Sequence, residues 1–428
     1  MGIRPLMQAI TRMERSNLRS TFMSLERADV AIVGGGIIGS GLASALSREG
    51  LDVVVIDPHP GLGSSLGNAG LVVPSYSTPM STPGNLWEGV KSFGSDHAPV
   101  TFSRPLGLET LKFLASFAAA SRPGRVKRDT AKLHSMATRS LQRYHELQDS
   151  GLDLGLTVQG WLWLSTSQGN RDALRGDSER MQSAGAKCEV VNRAQADELQ
   201  PGLGNEVSGG IWFPDEAFLD PEAASRRWLQ DAMDHGARLI RAEVTGYRKQ
   251  GERITDLTTT EGDLGAKQVV LATGADSRAA GRLLDIRVPV EPGYGWSVTL
   301  SDPQNQLNRA LMGIEDHVVI SPMPSRVRIT GGMRFGAASG QDPADHDIAK
   351  LREHAAAVVP ALADLEELTR WQGARPMTAS GVPIIERRGF DNLVIAAGHG
   401  PLGVTLAPIT VDLAKELVTA GLSAARPR

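Results

Sequence analysis

A glycine-rich turn near the start of the chain combines residue types that bind phosphate groups. Its pattern is Gly34-x-Gly36-x-x-Gly39, preceded by an apolar run and followed at once by a helical pattern. Gly34 allows a tight turn, Gly36 lets the backbone approach a pyrophosphate, and Gly39 lets helix and strand pack closely. The N–H groups at the start of the helix, at Ile37 and Ile38, favour an anion. The turn therefore predicts a binding site for an adenine dinucleotide.

A second apolar run, Leu51–Ile56, ends at Asp57. An acidic residue about 20 positions beyond the glycines accepts hydrogen bonds from ribose hydroxyls. It also repels a 2′-phosphate, so NADP is disfavoured. We therefore expect Asp57, with Pro58 beside it, at the adenosine end of the cofactor. The alternative is a tight turn in an α/β fold without a nucleotide, but strand, glycines, helix, strand and acid together are the context that confirms the motif.

A loop rich in glycine and serine follows, from Gly61 to Gly70. Its small residues suit close approach to a ligand, and its hydroxyl and amide groups suit phosphate or ribityl oxygens. Two later turns have the same character: Ala272-Thr-Gly274 after an apolar strand, and Gly398–Gly403 before the last helix. The residues of the loop that we expect to contact the cofactor are Ser64, Ser65, Asn68, Ala69 and Gly70.

The composition excludes several classes of protein. The 428 residues are 41% hydrophobic and 22% charged, with a formal net charge of −3. The chain is therefore long enough for two domains and shows no nucleic-acid footprint. Cys188 is the single cysteine, so no disulfide can form within the chain and a reducing cytoplasm is expected. The nine histidines show no metal-ligand spacing, and no apolar run approaches the ~20 residues of a membrane-spanning helix.

Residues 1–27 differ from the rest of the chain. They carry five arginines against two glutamates and lack the apolar core of a signal peptide. A targeting presequence is one interpretation. A translation start placed too early, with Met23 as the true start, is the preferred one. We expect an N-terminal extension over 1–27 that is disordered or loosely attached.

The order of strand-like runs predicts the fold class. Apolar runs that end in glycine, typical of parallel strands, lie at both ends and in the middle of the chain, with antiparallel-looking runs between them. We predict an α/β protein with a discontinuous Rossmann-type dinucleotide-binding domain and an inserted α+β domain on a mixed, largely antiparallel sheet. The predicted limits are 28–90, 218–285 and 373–428 for the first domain, and 91–217 and 286–372 for the second.

Helical patterns connect these runs. They are predicted over 36–49, over 105–148 with a break at 121–124, over 170–184, over 345–368 with Pro360 dividing it, and from an N-cap at Thr405 to about 418.

Several motifs occur in order along the chain and are specific in combination. They are the opening glycine turn, the Gly63–Gly70 loop, Leu271-Ala-Thr-Gly274, Gly373-Ala-Arg-Pro-Met-Thr378 and Gly398-His-Gly-Pro-Leu-Gly403. In this combination the chain resembles the FAD-dependent D-amino-acid oxidase superfamily, and within it the D-amino-acid dehydrogenase branch. The resemblance covers nearly everything from Ala28 to Gly421.

The resemblance implies a fold and a set of FAD contacts. The family has an FAD domain interrupted by a substrate domain with a mixed sheet. Its Gly-x-Arg-Pro arginine binds the substrate carboxylate, which carries over to Arg375. The turn before the last helix lies beside the isoalloxazine ring, and backbone groups at Val244 face the adenine. The contacts implied beyond the first turn and the loop are Val244, Thr273, Gly274, Gly373, Arg375, Gly398, His399, Gly400, Pro401 and Leu402.

The residues at the implied reaction centre suit amine oxidation. A flavin accepts a hydride from the substrate α-carbon at N5, and the protein supplies orientation and charge. The planar fork of Arg375 suits a bidentate clamp on the carboxylate, with an ordinary surface arginine as the alternative. The helix after Thr405 and the glycine turn before it would stabilise negative charge on the reduced ring.

Four further residues have both a functional and a structural interpretation. His399 either contacts the flavin or is a satisfied structural histidine that acts through its backbone. Tyr76 and Tyr294 are expected to line the substrate pocket, with packing as the alternative. Arg334, at a strand end, is a second candidate partner for the carboxylate, with a solvated arginine as the alternative. The catalytic candidates are Arg375, His399, Tyr294 and Tyr76.

The resemblance implies oxidation of a D-amino acid to an imino acid, which hydrolyses to a 2-oxo acid and ammonia. Electrons then pass to a quinone or another carrier. The alternatives are oxidation of glycine, sarcosine or a cyclic D-imino acid such as D-proline or hydroxyproline, and, from another class, a non-catalytic flavoprotein partner subunit.

The resemblance also bears on the cofactor linkage and the partners. Covalently flavinylated relatives carry a cysteine in the C-terminal turn, where this chain has none, so non-covalent FAD is expected. The implied partners are an amino-acid substrate and an electron acceptor, without nucleic acid or metal. A cytoplasmic location, peripheral contact with the inner membrane and oligomerisation complete the expectations.

Overall fold

The structure, a computed structural model, describes residues 25–61, 63–85, 87, 100–102, 107–167, 171–183, 185–336 and 344–424. The predicted N-terminal extension falls mostly on residues 1–24, which lie outside the described residues. Its predicted end at Arg27 is wrong, because the first strand begins at Leu25 and pairs with the middle of the chain.

The α-helices of the described chain follow the predicted order closely. They are α1 (Ile37–Ser47), α2 (Leu108–Ala120), α3 (Pro123–Asp149), α4 (Arg171–Ser183), α5 (Arg193–Leu199), α6 (Pro221–Asp234), α7 (Ser277–Leu283), α8 (Asp345–Val358) and α9 (Ala407–Ala424). None of these helices is both long and apolar enough to cross a lipid bilayer.

The strands of the described chain form three sheets. They are β1 (Leu25–Val33), β2 (Val53–Ile56), β3 (Leu71–Val72), β4 (Val100–Phe102), β5 (Thr157–Val158), β6 (Trp161–Ser165), β7 (Glu189–Asn192), β8 (Gly209–Phe213), β9 (Ala217–Phe218), β10 (Arg238–Ile240), β11 (Val244–Gln250), β12 (Arg253–Thr259), β13 (Gly262–Leu271), β14 (Glu291–Ser301), β15 (Ala310–Gly313), β16 (Val318–Met323), β17 (Arg326–Phe335), β18 (Glu367–Met377), β19 (Ile384–Arg387) and β20 (Leu393–Ala397).

The first sheet has a parallel centre that brings distant turns together. Strands β10, β2, β1, β13 and β20 run parallel in that order, with β19 antiparallel at one edge and the β11–β12 hairpin against the start of β13. Val33 pairs with Leu271 and Ile56, and Leu271 pairs with Ile395. Because these strands end in register, the turns after them share the carboxyl edge, where open α/β sheets bind ligands.

The second sheet is mixed and has two different faces. Its order is β18-β14-β17-β16-β15-β6-β8-β7, antiparallel except between β15 and β6, with β4 parallel to β17. Val298 and Ile329 point to one face, where they pack with Leu351 of α8. Trp371 and Arg375 point to the other face, where Gly67 of the glycine loop lies against the Trp371 ring. The second face therefore looks toward the nucleotide-binding sheet. A small third sheet has the order β3-β9-β5.

Local sequence signals account for most element boundaries. Pro123 begins α3 two residues after α2 reaches its C-cap Ser121, which confirms the predicted break. The Asp220 carboxylate accepts hydrogen bonds from the N–H groups of Glu222 and Ala223 and so caps α6. The α/β fold class with a Rossmann-type sheet and a mixed second sheet is likewise confirmed.

Two boundary predictions are wrong. The helix predicted to reach residue 368 ends at Val358, and Glu367 already begins β18, because pairing with β14 overrides the local pattern. Thr405 does not cap the last helix. Its hydroxyl donates to the Leu71 carbonyl at 2.9 Å and accepts from the Val73 N–H at 3.4 Å, so it ties the end of the chain to β3.

The sheets suggest two changes to the proposed domain limits. Residue 373, a predicted limit, lies inside β18, a strand of the second sheet. The predicted limit at residues 90 and 91 lies outside the described residues. We propose that the first domain begins at Leu25, that the inserted domain extends through Met377, and that the remaining limits stand as predicted.

Candidate active site

Two of the three glycines in the first turn are required by packing, and the third leaves open space. A Cβ on Gly39 would lie 1.8 Å from the Gly34 carbonyl oxygen, and one on Gly34, whose φ is +106°, would lie 2.5 Å from the Ala272 carbonyl oxygen. A Cβ on Gly36 would meet nothing closer than the Ser65 hydroxyl at 3.6 Å. Gly36 is the N-cap residue of α1 and has no side chain with which to cap it. Gly36 is thus open to a group that approaches from outside the chain.

Asp57 lies directly beside this turn. Its Oδ2 accepts a hydrogen bond from the Gly35 N–H at 2.6 Å, and its Oδ1 accepts one from the His59 N–H at 2.7 Å. A carboxylate has about four acceptor sites, so capacity for ribose hydroxyls remains. Pro58 follows, half-buried.

A second carboxyl group, which sequence reasoning missed as a site residue, faces Asp57. Burial raises the pKa of Asp276, and the nearby charge of Asp57 raises it further. Asp276 ends the turn Gly274–Asp276 after β13. The position of Asp276 after an apolar strand was a signal in the sequence. Its place near Asp57, however, depends on the pairing of β13 with β1.

The glycine loop links the first turn to both sheets. The Ser65 hydroxyl accepts a hydrogen bond from the Ile37 N–H at 3.3 Å, at the start of α1. The Ser64 hydroxyl donates to the Ala374 carbonyl oxygen, next to Arg375. Asn68 accepts from the Gly70 N–H at 2.8 Å and donates to the Pro401 carbonyl oxygen at 3.5 Å. Ala69 lies between these contacts, half-buried.

Arg375 projects from β18 over a glycine of the neighbouring strand. A Cβ on Gly295 would lie 2.1 Å from its Nη1, so only glycine leaves room for the guanidinium. Nη1 donates to the Gly332 carbonyl oxygen at 2.6 Å and lies 3.9 Å from the Met333 sulfur. Burial lowers the pKa of Arg375 to about 10, which still leaves it cationic at neutral pH.

No acidic side chain of the described residues pairs with Arg375. The partly buried Arg278, Arg326 and Arg334 each form an ion pair with a carboxylate, whereas Arg375 forms none within the described residues. Arg375 lies deep among protein atoms yet keeps some accessible surface, so a ligand can reach it. An apolar cluster borders it, formed by Phe113, Met333, Phe335 and Met377. The arrangement can accept an anionic group at Arg375 with an apolar group beside it.

His399 has its ring turned into the protein. The side chain is 3% exposed, and Nε2 lies 2.9 Å from the Thr410 hydroxyl of α9. Burial lowers the pKa of His399 to about 4, so the ring is neutral at physiological pH. Its carbonyl oxygen accepts from the Leu402 N–H at 3.1 Å and so shapes the turn Gly400–Leu402.

The turn around His399 depends on two glycines with positive φ. Gly398 has φ +83°, and a Cβ there would lie 2.4 Å from the Thr378 methyl group. Gly400 has φ +56°. The turn packs against β18, and Pro401 and Leu402 complete it before α9. The turn therefore lies between β18, which carries Arg375, and the first sheet.

Tyr294 and Arg334 are not brought together with Arg375. Tyr294 pairs with Ala374 of β18 and with Arg334 of β17, whereas Arg375 pairs with Gly293. Successive side chains of a strand point to opposite faces, so Tyr294 and Arg334 lie on the α8 face. There Arg334 contacts Asp347 of α8 at 3.4 Å, and its guanidinium lies 4.9 Å from the Trp296 ring centroid.

Tyr76 belongs to an aromatic cluster at the other end of the sheet. Its ring meets the edges of Trp161 and Trp163, with centroids 5.4 and 5.5 Å away. Burial raises the pKa of Tyr76. The preceding residue, Ser75, donates its N–H and hydroxyl to the carboxyl group of Glu216. Tyr76 therefore packs against β6.

The remaining predicted contacts are spread along the carboxyl edge and its margins. Thr273 and Gly274 follow β13, and the Thr273 hydroxyl lies 3.1 Å from the Ser277 hydroxyl. Val244 begins β11 and pairs with Thr259. Gly373 lies on β18, where a Cβ would strike the Trp371 ring at 1.9 Å.

Cys188 lies far from the C-terminal turn. It is buried beside Ser178 of α4, in the cluster around Trp163. No group of three His, Cys, Asp or Glu side chains within the described ranges is arranged to hold a metal ion.

The edge fits an elongated dinucleotide. It offers an open glycine at the start of a helix, an acid at the end of the next strand, a hydroxyl-bearing loop, and a glycine turn beside the strand that carries Arg375. Sequence reasoning missed two residues. Arg328 donates a hydrogen bond to the Leu66 carbonyl oxygen of the loop, and Trp371 packs on Gly67. Arg328 occupies a polar position in the alternating pattern Arg326-Val-Arg-Ile-Thr330, so no local signal in the sequence marks it as buried.

Comparisons with known proteins agree with this geometry. The curated D-amino acid dehydrogenase of Granulibacter bethesdensis is 28% identical over 387 residues, which is 88% of this chain and 92% of that protein. Among solved structures, L-proline dehydrogenase from P. horikoshii superposes with a TM-score of 0.71 at 21% identity, covering 92% of this chain and 94% of that one. Glycine oxidase from Bacillus cereus gives 0.69 at 20%, covering 92% and 95%.

The family comparison covers both sheets and every turn described above. The model of the FAD-dependent oxidoreductases matches residues 29–417, which includes the first glycine turn, the loop, the arginine strand and the C-terminal turn. The cofactor is therefore FAD, and the chain belongs to the FAD-dependent oxidoreductase family.

Proposed function

We propose that this enzyme oxidises a D-amino acid to the imino acid, which hydrolyses to a 2-oxo acid and ammonia. The observation that carries the proposal is Arg375, a largely buried but still accessible guanidinium without an acidic partner among the described residues. An unpaired buried cation is costly, and an α-carboxylate would neutralise it through a bidentate pair. The D configuration rests on the names of the curated relatives, D-amino acid dehydrogenases at 28 to 29% identity.

The cofactor contacts divide along the edge. We assign the pyrophosphate to the turn Gly34–Gly39 and the start of α1 at Ile37 and Ile38, because Gly36 is open and is an N-cap residue without a side chain. We assign the adenosine ribose to Asp57 and the adenine to the backbone at Val244. The remaining contacts would come from Pro58, Ser64, Ser65, Asn68, Ala69, Gly70, Thr273, Gly274, Gly373, Gly398, Gly400, Pro401 and Leu402.

Each residue at the reaction centre has one task. FAD supplies the hydride acceptor, at N5 of its ring. Arg375 fixes the substrate carboxylate, and the cluster of Phe113, Met333 and Met377 excludes water from the substrate side chain. The N-terminus of α9 and the turn before it would stabilise negative charge that develops on the ring.

His399 acts through its backbone in this proposal. Its ring is held by Thr410 and has a lowered pKa, so it takes no proton from the substrate. Tyr294 lies outside the site because it points to the α8 face. Tyr76 packs against Trp161 and Trp163 of β6, far along the sheet from β18, so the proposal gives it no contact with the substrate.

The electron acceptor is proposed to be a quinone or another carrier. The support is the word dehydrogenase in the names of the curated relatives. The proposal also includes a cytoplasmic location, peripheral contact with the inner membrane, and self-association. Non-covalent FAD is supported by the position of Cys188, buried beside Ser178. Acid precipitation should leave the yellow colour in the supernatant.

Anaerobic bleaching of the bound flavin tests the reaction. D-amino acids, their L-enantiomers, glycine, sarcosine and D-proline are added in turn, and the flavin absorbance is followed. We expect bleaching by D-amino acids and little by L-enantiomers. Faster bleaching by glycine or D-proline would move the substrate class to those compounds, and a flavin that no compound bleaches would leave a non-catalytic subunit. Admitting oxygen or a quinone analogue then identifies the acceptor, because an oxidase releases peroxide.

A further inference from the structure

Arg328 is a buried cation that donates to the backbone of the glycine loop. It lies on β17 and is 3% exposed. Nη1 donates to the Leu66 carbonyl oxygen at 2.6 Å and to the Asn68 carbonyl oxygen at 3.2 Å. Nε donates to the Thr299 hydroxyl at 3.3 Å. One guanidinium thus fixes two carbonyl groups of the loop against the second sheet.

This burial lacks the usual compensation. Within the described part of the chain no carboxylate forms an ion pair with Arg328, and burial lowers its pKa. The charge of Asp220 favours the protonated form of Arg328 without an ion pair between them. The Asp220 carboxylate pairs instead with Arg326 at 2.8 Å. A buried guanidinium held by neutral acceptors contributes little net stability, so packing alone accounts poorly for its place in β17.

The two carbonyl groups belong to the residues that flank the loop's functional contacts. Leu66 follows Ser65, whose hydroxyl accepts from Ile37 at the start of α1. Asn68 donates to the Pro401 carbonyl oxygen in the C-terminal turn. Between them, Gly67 lies against the Trp371 ring, where a Cβ would clash at 1.9 Å. Arg328 therefore holds the loop at the point where it passes between the two ends of the proposed FAD site.

We propose that Arg328 is a positioning residue for FAD. Its guanidinium fixes the carbonyl groups of Leu66 and Asn68, and so sets the places of the Ser65 hydroxyl and the Asn68 side chain. Arg328 itself touches the loop and not the cofactor. The inference rests on the proposed assignment of Ser65 and Asn68 to FAD. It adds a residue of the substrate-side sheet to the determinants of cofactor affinity.

The test compares Arg328→Met and Arg328→Lys with a matched control, Arg326→Met. Arg326 lies two residues earlier on the same strand but pairs with Asp220 and does not reach the loop. For each purified holoenzyme, FAD release on dilution is followed by flavin fluorescence and gives the dissociation constant. Heating then compares the temperature of flavin release with the temperature at which the far-UV circular dichroism is lost.

We expect Arg328→Met to raise the FAD dissociation constant about tenfold or more, because two hydrogen bonds from a charged donor are lost. Arg328→Lys, which keeps the charge but not the fork, should raise it by about threefold. In both variants flavin release should precede unfolding, while Arg326→Met keeps the wild-type constant. Where Arg328→Met is insoluble, the same comparison is made with Arg328→Lys.

Two results would overturn the inference. One is an unchanged dissociation constant with flavin release and unfolding lowered together, which would make Arg328 a packing residue. The other is an equal loss of FAD in Arg326→Met. Failure of the proposed reaction looks different, since it appears in the wild-type enzyme as a retained flavin that no amino acid bleaches.

Discussion

Tyr294 and Arg375 lie on neighbouring strands of one sheet but on its opposite faces. Arg375 pairs with Gly293, and Tyr294 pairs with Ala374, along an antiparallel register that is regular from Glu291 to Thr299. The Arg375 face meets the glycine loop, and the Tyr294 face is covered by α8. A substrate clamped by Arg375 is therefore out of reach of the Tyr294 hydroxyl.

Arg375→Lys should lower kcat/KM by about 100-fold or more while the enzyme keeps its FAD. Lysine preserves the charge but loses the bidentate geometry, and two hydrogen bonds between charged groups contribute about 3 kcal/mol. Steady-state kinetics with the best D-amino acid, with flavin content measured in parallel, check this.

Arg334→Lys is the matched control for the clamp. It changes the same residue type on the same sheet, but on the α8 face, where Arg334 meets Asp347. We expect kcat/KM within about threefold of wild type, as for surface and structural changes. Equal losses in the two variants would refute the assignment of the clamp to Arg375.

The parts of the fold that the sequence predicts are those set by local pattern. Gly34, Gly36 and Gly39 stand between an apolar strand and a helix, and all three features depend on residues close in sequence. The break before Pro123 and the cap at Asp220 are local in the same sense. The shared carboxyl edge is predictable as well, because the turns that follow parallel strands all lie at the same edge of the sheet.

The parts that sequence reasoning misplaced depend on contacts between distant residues. The face of Tyr294 depends on a register with β18, about 80 residues later. Thr405 resembles an N-cap in sequence but binds Leu71, 334 positions away. Glu367 has a helical context, yet pairing with β14 makes it a strand residue. No local pattern encodes these pairings.

Gly36→Ala and Gly39→Ala should fail in different ways. A Cβ at position 39 would overlap the Gly34 carbonyl oxygen at 1.8 Å, and overpacking of this kind costs about 1–3 kcal/mol or more. A Cβ at position 36 meets only ordinary contact with Ser65. We expect Gly39→Ala to unfold at a markedly lower temperature, and Gly36→Ala to fold normally but purify with little FAD. A Gly36→Ala enzyme with wild-type FAD affinity would place the pyrophosphate elsewhere.

His399 should destabilise the fold as the pH falls. Its pKa is about 4 in the folded state against 6.5 for a free histidine, so the unfolded chain binds a proton first. Between pH 6.5 and pH 4 the free energy of unfolding should therefore drop by about 3 kcal/mol from this residue. His399→Gln keeps an amide near Thr410 and should remove that drop. Urea unfolding of both proteins at several pH values checks it, and parallel curves would contradict it.

Glu216 should act in the opposite direction. Burial raises its pKa to about 7, against 4.5 for the free group, so the folded protein holds this proton longer than the unfolded chain. The protonated carboxyl group therefore makes its full contribution to the free energy of unfolding below pH 4.5. This contribution is lost as the pH rises to about 7. The loss by pH 8 is about 3 kcal/mol. Glu216→Gln cannot ionise and should not show it.

Asp215→Asn is the matched control for Glu216, since Asp215 precedes it in sequence but is 56% exposed in an ion pair with Lys187. An exposed pair contributes about 0–1 kcal/mol, and the charge of Asp215 is the smallest of the causes that set the pKa of Glu216. Its replacement should therefore leave most of the pH dependence of stability in place. The contributions of Glu216 and His399 have opposite slopes and overlap between pH 4.5 and 6.5. A flat wild-type curve in that range is therefore compatible with both. Only the difference between wild type and each variant isolates one group, and a zero difference for Glu216→Gln would mean that its carboxyl group is hydrated in solution.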